Sequence, residues 1–182
     1  MYFALNPLLT TFLSVILVVA AIIDIRVQKI PNLLTFPTMI LGLIYYSMTN
    51  GWDGLFFSME GLALGIAIFL IPYLMGGMGA GDIKLMGAIG AITGPKGVFI
   101  AFLYTAIAGG FYALIILLFN IKYLKDFIKR SSITIKSFVL TKQFIPIPAD
   151  ETERKPKLCY GVAIAIGTFS YFLLEYYGHN PI

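Results

Sequence analysis

Runs of apolar residues, most of them close to the length that crosses a lipid bilayer, constrain this chain more than any other feature. They lie near 6–23, 33–49, 55–75, 83–94, 97–119 and 159–176. A hydrocarbon core of about 30 Å needs roughly 20 apolar residues in a helix. Inside lipid a helix also satisfies all of its own backbone groups. The composition agrees, with 59% of the 182 residues hydrophobic and 12% charged, about half the charged share of a soluble domain. The expectation is an all-α polytopic membrane protein with about six transmembrane helices. The 83–94 run is short for a crossing and is expected to be tilted or partly re-entrant. The first run reads as a span rather than a secretory signal. No positive charge precedes it in Met1-Tyr2-Phe3-Ala4-Leu5-Asn6, and its cleavage zone would contain Asp24.

Charge supplies the orientation. Nine of the 13 Lys and Arg fall between Ile121 and Leu158: Lys122, Lys125, Lys129, Arg130, Lys136, Lys142, Arg154, Lys155 and Lys157. By the positive-inside rule this stretch is a cytoplasmic loop. It reads as a basic segment lying against anionic membrane lipid, not as a nucleic-acid-binding surface, which would need a folded basic domain. Within it, Phe144-Ile145-Pro146-Ile147-Pro148 reads as an extended connection. Arg26 and Lys29 put the 24–31 connection inside, and Lys84 does the same for 76–84. Asn50-Gly51-Trp52-Asp53-Gly54 carries no Lys or Arg and reads as outside, with Trp52 as an interfacial anchor. Lys96 alone dissents. Six spans then leave both termini outside, in one membrane-embedded domain over residues 1–182 with its basic loop at about 121–158. Gly61-x-x-x-Gly65 and Gly90-x-x-x-Gly94 are spacings that let helices approach closely.

Two acids stand out against this background. Asp24 closes the first apolar run, and Asp82 follows Gly79-Ala80-Gly81, so both fall on the cytoplasmic side. A charge at membrane depth costs roughly 2.5–3.5 kcal/mol on insertion scales and marks a functional site by default. Two carboxyls brought face to face share one proton and activate water, as in aspartic peptidases. Each acid also has a plainer reading. Asp24 alone would pass for an interfacial residue paired with Arg26 or Lys29, and Asp82 for the N-cap of a helix starting near Ile83. The run Gly76-Gly77-Met78-Gly79-Ala80-Gly81 exceeds what a cap needs and favours a shaped loop that exposes a carboxylate. Lys84 reads as a helix-end anchor beside that loop. Pro31, followed by Asn32, fits the first turn of the second helix, where its missing N–H costs nothing.

Other hydrolytic chemistries lack their residues. The single histidine, His179, lies beyond the last span and opposite both acids, so no His-Glu-x-x-His zinc site or Ser–His pair is available. The single cysteine, Cys159, leaves no internal disulfide and no cysteine-based metal cluster, and reads as a small buried hydrophobe. Glu60 and Glu175 belong to the outer half, with Glu60 a packing or snorkelling residue. No metal or cofactor is expected.

The motifs together resemble the prepilin peptidases, membrane aspartic peptidases of the GxGD type. Asp24 with Lys29-Ile30-Pro31-Asn32 resembles the family's first motif. Gly79-Ala80-Gly81-Asp82-Ile83-Lys84-Leu85 resembles its second. Tyr160-Gly161-Val162-Ala163-Ile164-Ala165-Ile166-Gly167 resembles the C-terminal tract, with Cys159 where a proline is usual. The resemblance implies a GxGD aspartic peptidase fold and Asp24 and Asp82 as catalytic residues. Gly79, Gly81, Lys84, Pro31 and Asn32 would shape the site or bind substrate. It further implies removal of the short basic leader from type IV pilin-like precursors at the cytoplasmic face of the cell membrane. Many members carry an N-terminal Cys-x-x-Cys module linked to methylation; lacking it, this chain resembles the short peptidase-only branch. The rival from another class is a small proton-coupled transporter or pilus-assembly subunit, since intramembrane acids also mark proton relays. A transporter would usually show a second broken-helix loop, and none is evident.

Overall fold

The computed structural model describes residues 6–74, 77–119 and 159–178, all of them helical apart from short connections. The helices are α1 (Pro7–Val27), α2 (Asn32–Leu74), α3 (Ala80–Phe119) and α4 (Tyr160–Tyr176). The chain divides into two compact units, Met1–Gly109 with Cys159–Ile182 and Gly110–Leu158. Of the second, only the helical end of α3 is described. The basic loop expected at 121–158 and the histidine at 179 lie outside the described residues.

Among the described residues, three helices are long and apolar enough to cross a membrane: α1, α2 and α3. Large apolar side chains such as Val15, Ile25, Ile40, Ile44, Phe56 and Ile71 are exposed along them. A soluble protein would bury such a surface, whereas a bilayer solvates it. The chain is an all-α, polytopic integral membrane protein.

α2 and α3 are each two helical segments. At 43 residues a straight α2 would be about 65 Å long, twice the hydrocarbon core. Gly51, with φ 59° and ψ −137°, interrupts it. The rings of Tyr46 and Phe57 then meet at 5.0 Å, although eleven residues of straight helix would separate them by about 16 Å. Gly94, with φ 70°, interrupts α3. Gly65 touches the backbone of Met86, and Phe69, one turn on, meets Phe102 at 5.9 Å. Met86 and Phe102 therefore lie near the same turn of α2, so α3 reverses as well. Both reversals need a positive φ that glycine adopts without a Cβ penalty. The six apolar runs of the sequence thus correspond to six helical segments.

The short fourth run is the centre of the unit. Leu85, Met86, Ala88, Ile89, Ala91 and Ile92 are all completely buried, as expected of a helix that is apolar all round. Its approach to α2 is set by Gly61 and Gly90, where a Cβ on either would collide with the other's carbonyl oxygen; the two small-residue spacings meet at this crossing. The missing N–H of Pro95 and the interruption at Gly94 leave the end of that segment short of backbone donors, and α2 supplies replacements. Ser58 Oγ donates to Ala91 O at 2.6 Å, and Tyr46 Oη donates to Ile92 O at 2.8 Å. In lipid such carbonyls have no water to turn to, so these side chains make the break tolerable.

On α1, Leu9, Leu13, Leu17, Ala20 and Asp24 form one buried stripe at helical spacing. This helix packs along α4. Asp24 therefore continues an apolar stripe that faces protein, not lipid.

Candidate active site

Asp24 sits near the C-terminal end of α1, and the helix stops four residues later. Gln28 closes it in the left-handed conformation (φ 55°, ψ 36°), its N–H bonded to the Asp24 carbonyl at 2.9 Å. This is the αL cap that ends many helices, here with glutamine where glycine is usual. The connection then turns through Lys29 and the buried Ile30, and α2 starts at Asn32 with Pro31 immediately before it. Pro31 O accepts from Leu34 N–H at 3.1 Å, so the proline caps this helix one position ahead of the expected first turn.

Asp82 stands in the first turn of α3, which begins at Ala80 rather than near Ile83. One carboxylate oxygen, Oδ2, accepts from Gly79 N–H at 3.0 Å, while Asp82 N–H donates to Gly79 O at 3.1 Å. An acid at the third helical position that reaches back to the residue before the helix is one half of a capping box. Asp82 is therefore not the N-cap of a helix starting near Ile83; Gly79 holds the cap position, and one oxygen of Asp82 binds back to it.

Both acids are 6% exposed, and both line a single cavity of about 420 Å³. Asp24 Oδ2 accepts from Gly161 N–H at 2.8 Å. Arg26 and Lys29 are exposed, so Asp24 is not the half of a surface ion pair. Among the described residues, each carboxylate has one oxygen held by a backbone N–H and no further hydrogen bond. No buried side-chain oxygen among them lacks a partner, so the second oxygens open to the cavity.

The residues around the pair fall into two groups. Lys84 and Asn32 line the cavity and bond to each other, Nζ to Oδ1 at 2.9 Å, with the ammonium 5.1 Å from the ring centroid of Phe36. This lysine joins the starts of α2 and α3 and does not pair with Asp82. Gly79 and Gly81 also line the cavity, but for different reasons. A Cβ on Gly81 would lie 3.0–3.2 Å from Ile30 Cβ, N and O, so glycine lets the 28–31 connection close on α3. A Cβ on Gly79 would sit at an ordinary 3.4 Å from Asp82 Oδ2, and what this residue contributes is its N–H. Pro31 is exposed beside the cavity.

Tyr160 and Gly161 were legible only as parts of a motif, with no role attached. Gly161 binds Asp24 through its backbone N–H, and Tyr160 is the first residue of the same helix. A glycine at the start of the last apolar run is the available signal. Among the described residues no group of three His, Cys, Asp or Glu side chains converges. Cys159 is partly buried.

An integral membrane protein with two buried acids facing one cavity defines the class. The chain belongs to the type IV leader peptidase family, whose model matches residues 11–114. It is also similar to the prepilin leader peptidase/N-methyltransferase of Xanthomonas campestris pv. campestris, 35% identical over 108 residues. That match covers 53% of this chain and 36% of the relative, so the chain spans about a third of the length of the curated relative it matches. No solved structure matches. Both acids fall within the family match, and Gly161 falls outside it.

Proposed function

We propose that this protein is a membrane aspartic endopeptidase that removes the short basic leader from type IV pilin-like precursors at the cytoplasmic face of the cell membrane. The observation that carries this reading is the convergence of Asp24 and Asp82, from different helices, on one cavity with one oxygen of each left open. The family match supports the peptidase over the transporter. In this reading all six helical segments cross the membrane, and 121–158 is the basic cytoplasmic loop of a single peptidase domain, lying against anionic lipid.

The chemistry follows from the pair. A water held between the carboxyls loses a proton to the ionised one as its oxygen attacks the scissile carbonyl. The protonated one hydrogen-bonds that carbonyl and stabilises the tetrahedral oxyanion. Collapse breaks the C–N bond as the leaving nitrogen takes the proton that the first carboxyl gained from the water, which restores the ionised carboxylate. Two carboxyls this close to one water cannot both ionise cheaply, so they titrate as a coupled pair. Gly79, Gly81, Pro31, Asn32 and Lys84 shape the wall along which the substrate backbone lies.

The test is precursor cleavage by the purified protein in proteoliposomes. Asp24→Asn and Asp82→Asn should each abolish processing while inserting at normal abundance. An amide matches the carboxylate in size but can neither take nor share the proton. Near-native cleavage by either variant would falsify the assignment.

A further inference from the structure

Asp24 stands at the wrong end of its helix for an anion. The last turn of α1 presents carbonyl oxygens, and the partial negative charge there disfavours a carboxylate. Within α1 the one basic residue of that turn, Arg26, is exposed, where its charge is screened by solvent. What meets Asp24 is the start of α4, a distant part of the chain. Cys159 is the N-cap of α4 and makes no side-chain cap bond, and its carbonyl accepts from Val162 N–H at 3.3 Å, so the cap side chain serves none of the N–H groups before Val162. One of them, Gly161 N–H, donates to Asp24 Oδ2 at 2.8 Å in a buried contact. The positive end of α4 thus faces the acid that the end of α1 would destabilise. The fit is close: a Cβ on Gly161 would lie 3.0 Å from both Asp24 Cβ and Oδ2, and 3.1 Å from Cγ.

We propose that Gly161 is a positioning residue for the reaction, its backbone N–H fixing the Asp24 carboxylate so that the other oxygen faces the cavity. The role rests on the aspartic reading of the site and adds to it a third element, from outside the segment that matches the family. Gly161→Ala keeps the N–H but wedges a methyl group against the carboxylate. A displacement of the order of 1 Å in a reacting group is worth about 10²-fold in rate. In proteoliposomes with a pilin-like precursor, Gly161→Ala should lower kcat by about that factor and leave KM within about threefold. The pH profile of kcat should move, because the bond that holds one carboxylate has changed. The matched control is Ser170→Ala on the same helix, which removes a hydroxyl bonded to Ile166 O in an exposed contact and adds no atom. It should keep the native kcat and the native pH profile.

Stability offers a second readout. In an Asp24→Ala background, Gly161→Ala should lower the melting temperature far less than in the native protein, since two of its three close neighbours are gone. If the single variant fails to accumulate, recovery in that background supports the contact and continued failure overturns it. Native kcat and pH profile in Gly161→Ala, beside inactive Asp24→Asn and Asp82→Asn, would overturn the positioning role alone. Active Asp→Asn variants would instead overturn the aspartic reading itself.

Discussion

The two acids are equally buried, but the structure holds them in opposite ways. Asp82 lies in the first turn of α3, where the helix dipole favours an anion, and its hydrogen-bond donor is Gly79, three residues away. Asp24 lies in the last turn of α1, where the dipole opposes it, and its donor is Gly161, 137 residues away. One carboxylate is set by local chain geometry and the other by packing between α1 and α4. A local arrangement survives small shifts of the helices around it. A tertiary one fails as soon as the two helices slide. The Asp24 side is therefore where the site should be most easily damaged from a distance.

The largest effect tests whether this difference matters to chemistry. Asp24→Asn and Asp82→Asn should each reduce processing by at least about 10³-fold, and the double variant should be hardly worse, because the acids act as a unit. Additive losses in the rate of precursor cleavage would mean that the carboxyls work separately, and the comparison would lose its point.

Next come the two glycines of the second motif. Gly81→Ala presses on the backbone of Ile30 and should cost about 1–3 kcal/mol, as overpacking does, with cleavage falling several-fold. Gly79→Ala meets only ordinary contacts and keeps the N–H, so its cost should stay below about 1 kcal/mol. Thermal melts of the two purified variants decide the matter. Equal destabilisation would show that the loop before Asp82 is not held as described.

Smaller still is Lys84→Met, which removes the bond to Asn32 and keeps the aliphatic stem. A single partly exposed hydrogen bond of this kind is worth about 0.5–1.5 kcal/mol. Melting should drop accordingly, with cleavage changed by less than about threefold. A loss as large as that of Asp82→Asn would make Lys84 part of the chemistry rather than a strut between α2 and α3. The smallest effects belong to Cys159→Ser and Asp53→Asn. Serine suits an N-cap better than cysteine, so Cys159→Ser should process precursor at the native rate and resist thiol reagents. Asp53 lies next to the Gly51 reversal, remote from both acids in the chain. Inactivation of Cys159→Ser, with its melting temperature unchanged, would point to a thiol role that the aspartic reading does not contain.

Much of the molecule is legible in the order of its residues. Apolar runs of membrane length give the helical segments, and the connection around Gly51 separates two of them, whereas Gly94 reads in the sequence only as part of a small-residue spacing and turns out to interrupt α3. The asymmetry of Lys and Arg put Asp24 and Asp82 on one side before any contact was known. The pattern around Asp82 was readable because its partners are neighbours in the chain. The start of α3 at Ala80, two or three residues earlier than the sequence suggests, follows from the same local bonds.

The sequence by itself determined an all-helical membrane protein with two acids at the ends of apolar segments, because hydropathy and charge act residue by residue. Only the tertiary structure decided that the acids share a cavity, that Gly161 holds Asp24, and that Ser58 and Tyr46 serve the carbonyls beside the break at Gly94 and Pro95. Those contacts join residues from different helices, and nothing in local propensity encodes which turn of one helix meets which turn of another. That register comes from packing, where Gly61 and Gly90 allow close approach and larger side chains forbid it. Within lipid, every misplaced polar group would also go unsatisfied.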